Sequence, residues 1–435
     1  MLKYNWFYFI TLSFVFILIY PYVFNAKLFL GGDNATYYSL AQGIASGFKY
    51  VSSNSPIPLP TNHYPPGYPF ILAVAIKLGV TSLKGLKIVS GLFLLGSVII
   101  TFLLSFRFTE NRIFSGLVAL AVLMNMHLLE YASITMSEVP FVFFLLLTLL
   151  AFVKFADTGY RLKSWSFLLT VFGVIAVVYI RTQGIAVLGA FAFYLLINKQ
   201  YKVAGILTLC FILGYLPWQI RSSSLGGSSY VKQLFKVNPY EEDGEDMKLA
   251  DWGTRIKNNT VRYISKEIPS LLFPVKPTAY NDPKTGDPLP ASGLQWFLGI
   301  FVITFSLLGI WQIKKYKWLL LSFFGANFLI FLLWPDVWFG IRFILPLAPL
   351  ILIVFFVGMK GLLGIVLKNE FVQSGKIYPL LVIPYLLFNY PTIKLLHQKA
   401  EAKHAPNWTN FLSVAEWSKE KLKRTDVVVS RKPEL

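Results

Sequence analysis

A small set of ionisable residues sits where apolar stretches begin or end. Asp33 opens "DNATYYSLAQG", and His63 lies in "HYPPGYPF". Glu138 is in "ITMSEVPFVFF", Arg181 in "VYIRTQGIAV", Arg221 in "GYLPWQIRSSS" and Arg342 in "FGIRFILPLAP". Ionisable groups at membrane depth are costly, so by default they mark function. A carboxylate held beside a bilayer can remove a proton from an acceptor hydroxyl or amine as a general base. Arginines at that depth can clamp a phosphate through charge-assisted, bidentate hydrogen bonds. A base, a phosphate clamp and an apolar groove together suit group transfer from a lipid-linked phosphate. The leaving group would stay in the membrane. Each residue also has a plainer reading. Asp33 can cap the helix that follows it. Glu138, two residues before Pro140, can serve a helix-start dipole. A lone arginine at a span end usually snorkels, and His63 reads as a hydrogen-bonded loop residue. What favours chemistry is that all of them fall on one face of the expected topology.

The chain of 435 residues is 55% hydrophobic and 17% aromatic, with 14% charged. That is too apolar for a soluble domain. Continuous apolar runs of about 17–22 residues imply an all-α polytopic membrane protein rather than a barrel. The first run, Trp6 to Phe24, has no small-residue cleavage site and reads as a retained signal anchor. The net charge of +19 does not require nucleic acid, because the basic residues gather in loops on one side. The single cysteine, Cys210, excludes an intramolecular disulfide.

The expected spans are 6–25, 84–106, 113–125, 139–156, 165–180, 185–197, 202–220, 293–311, 317–334, 341–358 and 377–389, about 11 crossings. With the N-terminus inside, the inner loops collect Arg107 and Arg112, Lys154, Arg161 and Lys163, Lys199 and Lys202, Lys314, Lys315 and Lys317, and Lys360, Lys368 and Lys376. The short outer loops carry only Arg181 and Arg342. Counting 66–79 as a span would reverse this asymmetry, so it reads as an interfacial or re-entrant helix. The first outer loop, 26–83, then holds two surface helices, 34–48 and 66–79. In the first, Tyr37, Leu40, Ala41, Ile44, Ala45 and Phe48 share one face. A second outer loop, 221–292, contains the acidic patch "EEDGED", read as solvated. The expected division is a transmembrane domain, 1–389, and an outer tail, 390–435, with a helix at 409–424 and a strand at 426–430. A lone helix–strand unit makes the tail either truncated or packed on the 221–292 loop.

Read together, these stretches resemble the polyprenyl-phosphate-sugar-dependent glycosyltransferases of the GT-C fold, the protein mannosyltransferase and aminoarabinose transferase-like superfamily. The matching elements are the acid and D-x-x-x-Y helix in "GGDNATYYSLAQGIASG", the Pro-Pro helix in "HYPPGYPFILA" and the second acid in "MSEVPFVFFLLL". They continue with "RTQG", "PWQIR" and "RFILPLAP", and cover most of 1–358. The resemblance implies a catalytic base at Asp33, a single inverting displacement, and a second catalytic acid, Glu138, that helps shape the acceptor and donor pocket. It implies lipid-phosphate binding by Arg181 and Arg342, with Tyr37, Tyr64 and Arg221 lining the pocket. Many relatives have Lys just before the Pro-Pro; here Tyr64 stands there, which makes His63 the candidate substitute. "GGDNA" lacks the Asp-x-Asp of metal-dependent relatives, so neither a catalytic metal nor another cofactor is expected. The implied partners are a polyprenyl-phosphate sugar donor, a glycan, lipid or protein acceptor, and membrane lipids, but no nucleic acid. The site is expected on the outer face, and the Lys-, Ile- and Phe-rich composition suggests a bacterial plasma membrane. A transporter or flippase of lipid-linked glycans is the alternative. Span centres almost free of charge disfavour it. A non-catalytic subunit is a third.

Overall fold

A computed structural model describes residues 5–29, 31–52, 57–241, 243–275, 280, 289–423, 426 and 428. Its helices are α1 Trp6–Val23, α2 Asn34–Ala45, α3 Gly67–Lys77, α4 Leu83–Thr109, α5 Arg112–Leu123, α6 Met126–Ala132, α7 Glu138–Asp157, α8 Trp165–Ile180 and α9 Ile185–Ile197. There follow α10 Tyr201–Ser224, α11 Ser229–Leu234, α12 Leu249–Arg262, α13 Ile268–Leu272, α14 Gly293–Gln312, α15 Lys317–Leu333, α16 Ala348–Leu367, α17 Glu370–Gln373, α18 Tyr378–Glu401 and α19 Pro406–Lys421. Among the described residues, 7 helices are long and apolar enough to cross a membrane, or 8 if α5 and α6 form one span bent by 57°. The apolar helices α8, α9 and α15 fall short of that length. The chain is thus a helical integral membrane protein.

Several boundaries differ from the sequence expectation, each for a local reason. The span expected at 341–358 begins later. Residues Ile341–Phe343 and Leu345–Leu347 form two 3-10 turns, and the α-helix starts at Ala348. Pro346 and Pro349 explain this, since proline lacks a donor and suits a helix's first turn rather than its interior. The span expected at 113–125 breaks at Asn125, whose side chain accepts from the His127 and Leu128 backbone and starts α6. The span expected at 377–389 continues to Glu401, so the proposed 389/390 boundary falls inside α18. The surface helix α2 stops at Ala45. Gly47 turns the chain away at φ 144, and Phe48 leaves the buried face, 82% exposed. The tail helix begins at Pro406. The strand expected at 426–430 lies largely outside the described residues, as does Glu242 of the acidic patch. A two-stranded antiparallel ladder, Val51–Ser52 with Leu59–Pro60, joins the surface helices.

The helix α7 sets the scale. It runs from Glu138 to Asp157, a length of 20 residues, about 30 Å along the axis. Asp157 collects Lys315 at 2.7 Å and the Tyr316 hydroxyl at 2.8 Å, with Arg107 against its other oxygen. These basic residues therefore lie at the opposite end of the bundle from Glu138.

Small residues let the helices approach closely, as is usual where lipid surrounds a bundle. A Cβ at Gly309 would stand 1.7 Å from the Val354 carbonyl oxygen, and one at Gly358 would stand 1.8 Å from that of Phe305. The α14–α16 crossing is thus built backbone to backbone. Gly358→Ala is expected to destabilise the protein by about 1–3 kcal/mol or more, because backbone oxygens cannot step aside. Gly205→Ala, with nothing within 4 Å, should be neutral. Thermal unfolding in detergent compares the two.

Candidate active site

The approach to Asp33 runs through Gly32, at φ 73, where a Cβ would strain the backbone. Asp33 occupies the N-cap position of α2, yet its side chain makes no cap hydrogen bond. Instead its Oδ1 accepts from the Tyr64 hydroxyl at 2.9 Å, and Oδ2 lies 3.6 Å from Arg342 Nη1. The carboxylate is turned toward other elements rather than spent on its own helix.

Those elements are seated on one another. A Cβ at Gly67 would lie 2.6 Å from the Tyr179 backbone, so α3 rests directly on the end of α8. That end carries Arg181. The turn after it, "RTQG", closes tightly, with Gly184 packed on the Val177 carbonyl. Gln183 donates to the Phe343 carbonyl at 3.2 Å and joins this turn to the Arg342 segment. Arg342 stands in a 3-10 turn directly after Gly340 and Ile341, and Gly340 has φ 120.

Glu138 is wholly buried at the first turn of α7 and is paired with Arg181 at 2.7 Å. Arg181 also donates to the Ser137 hydroxyl at 3.1 Å, which lies 3.4 Å from the Tyr37 hydroxyl. A cavity of about 270 Å³ brings together Asp33, Tyr37, His63, Tyr64, Arg181 and Arg342. Glu138 stands behind Arg181 rather than on the cavity wall. Arg221 does not line the cavity either. It donates to the Tyr50 carbonyl at 2.8 Å and lies over the Tyr50 ring, pinning the segment between α2 and α3. Among the described residues, no group of three or more His, Cys, Asp or Glu is placed to hold a metal ion.

Sequence reading missed the opposite wall. Tyr230, Trp334 and Trp338 line it. Tyr230 stacks on His63 with ring centres 5.2 Å apart and meets Trp338 edge-on at 6.1 Å. Burial and the nearby Asp33 charge push Tyr230 up to about 12, so it stays a hydroxyl donor. Tyr230 stands in the six-residue helix α11, too short to show a period, and Trp334 and Trp338 lie beyond the end of α15. Only the aromatic density of "WPDVWFG" distinguishes Trp334 and Trp338 in sequence, and Tyr230 has no such mark.

Among solved structures, the archaeal oligosaccharyltransferase AglB from Archaeoglobus fulgidus, in complex with an inhibitory peptide and a dolichol-phosphate, matches over 97% of this chain with a TM-score of 0.60. The oligosaccharyltransferase of the same organism tethered with an acceptor peptide matches with 0.59, and ArnT from Cupriavidus metallidurans bound to undecaprenyl phosphate with 0.58, each again over 97%. The chain has the GT-C fold. Sequence identities are only 13%, 14% and 12%. This chain spans 59% and 58% of the two oligosaccharyltransferase chains, and 81% of ArnT. No family profile and no curated protein matches it at the level of sequence.

Within this GT-C bundle His63 makes a pH-dependent contribution with a defined sign. Burial lowers its pKa, and the Asp33 charge only partly opposes that. A neutral buried ring resists protonation, so its stabilising contribution is complete above the unfolded-state pKa of about 6.5 and is lost as pH falls below it. Acidification from neutral pH should therefore lower the unfolding temperature of the wild type more than that of His63→Phe, which keeps an aromatic ring against Tyr230. Equal losses in the two proteins would remove His63 as the source.

Proposed function

We propose that this protein is a membrane glycosyltransferase that takes a sugar from a polyprenyl-phosphate-linked donor and passes it to an acceptor at the outer face. The observation that carries the reading is the Asp33 carboxylate. It leaves its own helix uncapped and faces a cavity at the bundle end, between a tyrosine hydroxyl and an arginine. The likeness to AglB with dolichol-phosphate and to ArnT with undecaprenyl phosphate supports the donor class. The basic residues at the far end of α7 support the sidedness, because positive loops stay inside.

In this reading Asp33 takes the proton of the acceptor hydroxyl or amine as that atom bonds to the anomeric carbon. The bond from that carbon to the phosphate oxygen breaks in the same displacement, and the anomeric configuration inverts. The departing polyprenyl phosphate carries the bonding pair. Arg342 and Arg181 stabilise the charge that develops on it, and the lipid tail stays in the membrane. Glu138 fixes Arg181 in place. Tyr37, Tyr64 and His63 shape the pocket around the reacting atoms, and Tyr64 must release Asp33 for the acceptor. No step is routed through a metal.

Binding of polyprenyl phosphate and of the phosphate-free polyprenol to the protein in nanodiscs tests the reading. Phosphate-dependent binding is expected. Arg342→Gln should weaken it about 10- to 150-fold, the range for one lost hydrogen bond to a charged group. Equal binding of the two lipids would overturn the lipid-phosphate assignment.

A further inference from the structure

Three polar residues in 221–292 have no part in the cavity, yet two of them reach one stretch of chain and the third is paired with one of those two. They are Asn259 on α12, Arg262 at its end, and Glu267 in the π-helical turn Tyr263–Glu267 that follows. Asn259 and Glu267 are both 0% exposed, and the Arg262 side chain is 11% exposed. Asn259 donates to the Leu332 carbonyl at 2.9 Å and the Trp334 carbonyl at 2.7 Å. Arg262 Nη1 donates to the Asp336 carbonyl at 2.6 Å, while its Nε pairs with Glu267 at 3.0 Å. Glu267 reaches the stretch through Arg262; burial pushes its pKa up, and the Arg262 charge beside it opposes that.

The stretch so held, 332–340, connects the end of α15 to Arg342. It carries Trp334 and Trp338 of the cavity wall. Its carbonyls lie in the last turn of α15 or just past it, where no helical ladder satisfies them. A buried ion pair is a weak source of stability but can fix a geometry, and π turns are frequent at functional sites. The π turn is itself fastened to the bundle. A Cβ on Gly299 of α14 would stand 1.7 Å from the Ile264 carbonyl oxygen, so the two backbones touch.

We infer that Asn259, Arg262 and Glu267 form a clamp that positions Arg342, and through it sets the affinity for the lipid phosphate. The inference rests on the lipid-phosphate reading above. These are positioning residues, since none of them touches the cavity.

The test measures polyprenyl phosphate affinity in nanodiscs for Asn259→Ala and for Glu267→Gln. The second keeps the side-chain volume and guards against a folding failure in the first. Each is made alone and in an Arg342→Gln background. The clamp predicts about 10-fold weaker binding in the single variants, as expected when a binding group loses its exact placement. It predicts no further loss when Arg342 is already Gln, because residues acting through one another are not additive. Wild-type affinity in a folded Asn259→Ala and Glu267→Gln would overturn the inference while leaving the lipid-phosphate reading intact. Additive losses in the Arg342→Gln background would assign these residues a general structural role instead. Absence of phosphate-dependent binding in the wild type would overturn the reading and the inference together.

Discussion

Asp33→Asn should lower turnover by about 10²- to 10⁴-fold, the usual contribution of a positioned general base, while leaving the fold standing. Two features separate these effects. The Asp33 side chain makes no cap to α2, so no cap is lost, and Asn is in any case as good as Asp at that position. The Tyr64 hydroxyl can still donate to the amide oxygen that replaces Oδ1. Its contact with Arg342 is long, 3.6 Å, with both side chains partly exposed at 33% and 28%, and such pairs contribute little. Unfolding temperature and turnover measured on the same preparations check this. A folded variant with wild-type turnover would remove Asp33 as the base. A variant that fails to fold would show that the carboxylate holds the segment between α1 and α4, a role its geometry does not suggest.

The largest stability effect belongs to the pair behind it. Arg181→Met leaves Glu138 with no counter-charge in a site that is 0% exposed. Removing one partner of a buried pair costs about 3–5 kcal/mol, because the other charge is stranded. Adding Glu138→Gln to Arg181→Met should recover much of that loss, since the stranded charge is then gone. The two variants would differ clearly in detergent unfolding, and neither should bind lipid phosphate as the wild type does. A double variant no more stable than Arg181→Met would mean that the loss comes from packing around the guanidinium rather than from the bare carboxylate.

The amphipathic face of the first surface helix was readable because helical periodicity is a local property. Tyr37, Leu40, Ala41 and Ile44 are all buried. The same reasoning overran at Phe48, since the positive φ at Gly47 ends the helix and periodicity carries no stop signal of its own. The acids and arginines could be found because a charge beside a long apolar run is rare. Their pairing could not: nothing local says that Arg181 meets Glu138 while Arg342 meets Asp33. Arg221 shows the limit of that approach. Its setting matched the others, yet it faces the Tyr50 carbonyl rather than the cavity. The aromatic wall and the clamp were hidden for the same reason. Tyr230, Trp334 and Asn259 are brought together by packing between segments far apart in the chain, and nothing local to any one of them names its partners.

The most direct measurement of the central claim is the anomeric configuration of the product, read by NMR. The purified protein would be given polyprenyl-phosphate sugars of known configuration with a membrane extract as acceptor, and free polyprenyl phosphate would be followed as the leaving group. A single displacement assisted by Asp33 predicts release of polyprenyl phosphate and a product of inverted configuration. A product of retained configuration would contradict that mechanism, and no release from any donor in the panel would contradict the transferase itself.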